Sequence, residues 1–160
     1  MKKAVRLVVV TGFLFALGGS ATTVRAQSPT PAPAPDPAEY LAKAKSVFER
    51  SCGVCHGLDR PLSKTFDRAG WEKTVERMYK NGAKVNQDER SQVVAFLLTK
   101  NTFEAKCSAC HGTDRPLGTS KSAADWLATV QRMSGKRPGF LTETEIADIA
   151  AYLSIIRATP

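Results

Sequence analysis

Two short stretches of the 160-residue chain hold every cysteine and both histidines. "CGVCHGLDRPLS" begins at Cys52, and "CSACHGTDRPLG" begins fifty-five residues later at Cys107. Each sets two cysteines with two residues between them and follows them directly with a histidine. On a helical turn, residues three and four apart share a face. Cys52, Cys55 and His56 therefore converge, and so do Cys107, Cys110 and His111. Two thiols and an imidazole in one place suit a metal ion, a thiol redox pair, a disulfide, or covalent capture of a flat ligand with its metal beneath the imidazole.

The spacing discriminates among these. A zinc site built from two C-x-x-C pairs usually separates them by about 15–20 residues. Here 51 residues intervene, and a repeat argues against one shared metal. A thioredoxin-like pair needs a βαβ setting, which the chain does not suggest. Disulfides inside the C-x-x-C loops leave both histidines without a role. C-x-x-C-H is the attachment signature of c-type haem: the cysteines reach two vinyl groups as thioethers and the histidine binds iron axially. Two such sites predict two covalent haems, with Cys52, Cys55, Cys107 and Cys110 as anchors and His56 and His111 as proximal iron ligands. With both histidines so used, bis-histidine ligation within the chain is excluded.

Beyond the N-terminal segment only two methionines remain, Met78 and Met133, each 22 residues after its histidine. A buried methionine is commonly core filler. The matched position and context favour Met78 and Met133 as sixth ligands instead, which would raise the potential and close the iron. Arg60 and Arg115 follow the histidines by four residues, and Arg77 and Arg132 precede the methionines. Each suits a haem propionate or plain solvated surface. Trp71 and Trp126 suit a haem edge, an indole N–H to a propionate, or core packing. Pro61 and Pro116 fix a turn, near which a carbonyl, theirs or a neighbour's, can accept from the histidine's second ring nitrogen.

The elements that must position these residues repeat as well. Residues 48–78 align with 103–133 without a gap, and 16 of the 31 positions are identical. The second copy then gains one residue. Helices are predicted over Ala42–Cys52 and Thr102–Cys107, running into the cysteines, and over Gln87–Lys100 and Glu143–Arg157. Trp71, Val75 and Met78 recur at helical spacing, as do Trp126, Val130 and Met133. "TETE" from Thr142 reads as a capping box, with Glu145 reaching back. Phe48 with Phe96, and Phe103 with Tyr152, are spaced for the first and last helices of each copy to cross. The fold class is all-α: two tandem small domains, 40–100 and 101–160. At about 55 residues each has too little core of its own, and a haem would supply it.

Residues 1–26 read as a signal peptide: a basic start, an apolar core, and Val24-Arg25-Ala26 as the cleavage region. The alternative is an uncleaved membrane anchor. Residues 27–39 are a proline-rich linker, extended rather than helical, so folding is expected to start near Tyr40. Without the first 26 residues, 19 Lys and Arg stand against 15 Asp and Glu. That balance is too mild to indicate nucleic acid, and export places the chain in the periplasm.

On these residues the chain resembles class I c-type cytochromes in tandem dihaem form, over about residues 40–157. The run "W-x-x-T-V-x-R-M" after "C-x-x-C-H-G-x-D-R-P-L" is similar to the dihaem domain of the quinohaemoprotein amine dehydrogenase large subunit. The resemblance implies a helical domain around each haem, ligation through the C-x-x-C-H residues, and redox-protein partners, namely a donor dehydrogenase and an acceptor oxidase or cytochrome. In many class I cytochromes the ligand methionine lies in a loop before the last helix, whereas Met78 and Met133 end a helix that opens near tryptophan.

Three functions are compatible with this reading. The first is a periplasmic carrier of single electrons. The second is an electron-relay subunit of a larger dehydrogenase. The third is a haem enzyme, such as a dihaem peroxidase or a sulfur-compound oxidoreductase, which needs an open iron or an acid–base group beside it. No distal histidine is available, so electron transfer rather than catalysis is expected.

Overall fold

The computed structural model describes residues 35–156. The expected signal peptide, most of the linker, and Arg157 at the end of the last helix lie outside them. Seven helices follow one another: α1 (Pro37–Cys52), α2 (Asp59–Leu62), α3 (Arg68–Lys80), α4 (Gln87–Cys107), α5 (Asp114–Leu117), α6 (Ala123–Ser134) and α7 (Glu143–Ile156). Among the described residues there is no strand, in agreement with the all-α expectation.

Local chemistry sets the ends. Asp36 caps α1, its carboxylate accepting from Ala38 N at 2.8 Å and Glu39 N at 3.1 Å. Pro37 occupies the first turn, the one place where a missing N–H costs a helix nothing. The helix therefore starts before the expected Tyr40, inside the proline-rich stretch. Asp67 caps α3 through Gly70 N, and Ser122 caps α6 through Asp125 N. The capping box at Thr142 is formed: Glu145 N donates to Thr142 Oγ1 at 3.1 Å, and Thr142 N to Glu145 Oε2 at 2.8 Å. Asn86 and Glu89 make the same box at the start of α4.

The helices expected over Gln87–Lys100 and Thr102–Cys107 are one helix, α4. No glycine or proline interrupts these 21 residues, and the polar side chains at the junction find partners. Lys100 is 4% exposed; its Nζ pairs with Glu104 at 2.7 Å and lies 3.4 Å from Lys64 O. Asn101 Nδ2 donates to Phe66 O at 2.9 Å. The boundary expected between residues 100 and 101 thus falls inside a continuous helix, and the described residues on both sides of it pack into one compact unit.

Helices α1, α4 and α7 pack on one another, α3 lies on α4, and α6 on α7. The two expected crossings are present: Phe48 meets Phe96 at 5.4 Å between centroids, and Phe103 meets Tyr152 at 5.5 Å. A third pair, Phe96 and Tyr152 at 5.7 Å, joins the copies through their cores. Burial raises the Tyr152 phenol above its usual range, and the nearby Glu104 adds to the effect.

Candidate functional site

The first copy encloses a cavity of about 470 Å³ whose exposed wall is mainly apolar, within the range of cofactor pockets. Helix α1 contributes Phe48 and Cys52, and the turn after it Cys55 and His56. The α2 segment contributes Arg60, Pro61 and Lys64, α3 Trp71, Val75, Arg77 and Met78, and α4 Val93 and Leu97. Every residue of the first copy singled out from the sequence for haem binding therefore lines one cavity. The C-x-x-C-H motif is not wholly helical. Helix α1 ends at Cys52, and Gly53 N closes it onto Glu49 O; Cys55 and His56 follow in a turn. In the second copy α4 likewise ends at Cys107.

All four thiols are free, with Cys52 and Cys107 half-buried and Cys55 and Cys110 exposed. Burial pushes the Cys52 and Cys107 thiols up, and Cys110 adds to the effect at Cys107. His56 Nδ1 lies 3.0 Å from Gly57 O, and His111 Nδ1 lies 2.9 Å from Gly112 O. A carbonyl only accepts, so Nδ1 carries the proton and Nε2 keeps its lone pair for a metal. The accepting carbonyls sit beside the histidines rather than at the prolines. Pro61 O and Pro116 O instead receive Lys64 N and Thr119 N, closing the one-turn helices α2 and α5.

Both tryptophans are buried, and each indole Nε1 lacks a hydrogen-bond partner. An unmet buried donor is costly, and it recurs here at the same position of both copies. A haem fits this arrangement: an apolar cavity with two thiols, an imidazole with a free Nε2 and a thioether on its walls, and an indole N–H left for a propionate. A zinc site does not fit. Among the described residues no three of His, Cys, Asp and Glu converge on a common point.

The copies differ in their walls. Met78 is half-buried and lines the cavity, whereas Met133 is 42% exposed. Phe66 stands edge-on to Trp71 at 5.0 Å. Its counterpart Lys121 instead lies over the Trp126 ring at 5.2 Å and donates to Thr129 Oγ1 at 2.8 Å. Arg60, Arg77, Arg115 and Arg132 are all exposed, and the first two reach the cavity.

Sequence reasoning passed over the capping glutamate Glu89, and it read Glu145 as a cap without its ion pair. Glu89 pairs with Arg50, and Glu145 with Lys106 at 3.2 Å, tying the start of each closing helix to the turn just before the cysteines. The Asn86 N–H, and to a lesser degree Arg50, hold the Glu89 carboxyl below its usual range against burial. The Thr142 N–H and then Lys106 do the same for Glu145. The signal was present in the sequence, since Asn86 and Glu89 recur as Thr142 and Glu145 fifty-six residues on.

An all-helical fold that brings a C-x-x-C-H motif to an apolar cavity has the construction of a c-type cytochrome. Comparison with known families agrees. Residues 99–153, from α4 to near the end of α7, match the family described as "Cytochrome C oxidase, cbb3-type, subunit III", which supports a c-type cytochrome with covalent haem and a role in electron transfer. No curated protein and no solved structure matches the chain.

Proposed function

We propose that the chain is an exported, periplasmic dihaem cytochrome that carries single electrons between redox proteins. The observation that carries this reading is the duplication of an unfinished site. Each copy has a C-x-x-C-H turn, a histidine with Nε2 free, and a buried indole N–H without an acceptor. A covalent haem in each copy would supply a one-electron ferric–ferrous couple. Cys52 and Cys55, and Cys107 and Cys110, hold the ring. His56 and His111 would offer Nε2 to the iron, and Met78 and Met133 their thioethers. Trp71 and Trp126 donate to propionates, with Arg60 and Arg115 beside them. Phe48, Val93 and Leu97, which line the first cavity, would keep water from a ring held there and so help to set its potential.

The family match favours a second reading, since its description names an oxidase subunit. The same two centres would then relay electrons inside a larger assembly. Co-purification from membranes separates it from a free carrier.

The test is the visible spectrum of the purified holoprotein, with its haem count from intact mass. Two haems and the weak far-red band of sulfur–iron bonding are expected. Met78→Ala and Met133→Ala should each remove about half of that band. High-spin iron in the wild type would overturn closed ligation and reopen the enzyme reading.

A further inference from the structure

One position of the duplicated site changes from apolar to charged between the copies. Phe66, Trp71 and Thr74 line the first cavity. Their counterparts, each 55 residues on, are Lys121, Trp126 and Thr129. Where the first copy has a phenyl ring, the second has an ammonium, and that ammonium is held in place. It lies 5.2 Å from the centroid of the Trp126 ring and donates to Thr129 Oγ1 at 2.8 Å. Thr129 Oγ1 in turn donates to Asp125 O at 2.7 Å. Its proton is spent there, and a lone pair is left to accept from Lys121.

Lys121 is half-buried and forms no ion pair among the described residues. Other cations near the two sites are compensated, matched or in water. Lys100, 4% exposed beside Lys64 O, pairs with Glu104 at 2.7 Å. Lys106 stands where the first copy has the cavity-lining Ser51, and it pairs with Glu145 at 3.2 Å. Arg60 and Arg77 recur as Arg115 and Arg132, so they act alike on both sites. Lys64, Lys73 and Lys84 have Thr119, Ala128 and Phe140 as counterparts, but all three lysines are exposed, where water and salt screen a charge within about 8 Å at physiological ionic strength. Lys121 is left as a half-buried, uncompensated charge on the second site, with a ring in its place on the first.

A haem gains one negative charge on reduction. A fixed ammonium on the wall of its site therefore favours the ferrous form, and partial burial weakens the screening of that effect. The Phe66 ring opposes it weakly. It is 41% exposed, so it excludes water from the first site only in part, and it carries no charge. We infer that Lys121 sets where an electron rests inside the protein: its ammonium raises the potential of the second copy's haem, so that a single electron given to the pair makes the second iron ferrous while the first stays ferric. This rests on the two-haem reading above.

Redox titration of the purified holoprotein, followed by its ferrous absorbance, tests this. Two one-electron steps are expected, and their separation gives the equilibrium constant for moving one electron between the haems. Lys121→Met keeps the stem and removes the charge. It should lower the upper potential and leave the lower one, reducing that constant about tenfold, the equivalent of about 59 mV. Lys121→Arg keeps the charge and should leave both potentials near those of the wild type. Thr129→Val removes the acceptor that fixes the ammonium and should give a smaller fall in the same step. An upper potential unmoved by Lys121→Met would overturn the inference, as would a shift confined to the lower one. Equal shifts in Lys121→Met and Lys121→Arg would also overturn it, making the side chain a packing residue. So would a shift that vanishes at high salt, which marks a surface charge. Intact mass is read first: a single haem would fail the two-haem reading, whereas two haems with unmoved potentials would fail this inference alone.

Discussion

The two copies share motif, helix order and capping glutamate, yet one cavity wall is aromatic and the other is covered by a cation. At Phe66 the first copy adds a ring to Trp71; at Lys121 the second lays an ammonium over Trp126 and ties it to Thr129. Met78 faces a cavity, and Met133 is partly exposed. The elements that bind the copies together are the ones without such divergence, namely the continuous α4 and the ring chain Phe48–Phe96–Tyr152–Phe103. Duplication has kept what each site needs for assembly and varied what faces outward. Two copies on one frame can then differ in access.

The largest expected effect tests that frame. Phe96 touches a ring of its own copy and a ring of the other, so its truncation should loosen both halves at once. Phe96→Ala is expected to cost about 3–5 kcal/mol, measured by denaturant unfolding followed both by circular dichroism and by haem absorbance. The two signals should move together in one transition. Two separate transitions, only one of them shifted, would show that the copies fold independently and that the shared core is a contact rather than a frame.

Much of this was legible because duplication tests a motif against itself. The cysteines and histidines, the tryptophan–methionine helices and the Thr142 capping box follow from local pattern, and local physics placed them. The continuity of α4 did not follow. Its two halves bury side chains for different copies, Val93 and Leu97 toward the first cavity and Phe103 toward Tyr152, so their pattern reads like two abutting helices. The "DRPL" turns are too short to show any period. The contacts of Asn101 with Phe66 O and of Lys121 with Trp126 join residues with no pairing signal in the sequence. The start of α1 inside the proline run depended on one residue, Asp36, serving as its cap.

A smaller effect sharpens the contrast at the tryptophans. If each indole donates to a propionate, Trp71→Phe and Trp126→Phe leave that carboxylate's charge less compensated, which favours ferric iron. The potential of the affected haem should fall by roughly 20–60 mV, the one-electron equivalent of about 0.5–1.5 kcal/mol, with the other haem unmoved. Redox titration of the two variants checks this. Unchanged potentials would make both indoles packing residues. A shift in one copy alone would extend the asymmetry from the surface to the cofactor.

The smallest expected effect lies at the clamps, where the copies agree most. The carboxyl of Glu145 sits below its usual range because the Thr142 N–H and then Lys106 stabilise its charged form against partial burial. A depressed folded value means that its contribution is present above the unfolded carboxylate pKa of about 4.3 and is lost as pH falls through the folded value. Glu145→Gln should therefore cost about 0.5–1 kcal/mol at neutral pH, the scale of a cap and a partly exposed ion pair. The gap from wild type should close below about pH 4. Glu89→Gln should lose stability in the same direction, with a gap that also closes as pH falls, since the Asn86 N–H and then Arg50 hold that carboxyl down. Denaturant midpoints at pH 7, 5 and 3.5 give the comparison. A gap that stays constant with pH would mean the glutamates act through packing rather than charge. A gap at only one of the two would show that the clamps, too, have begun to diverge between the copies.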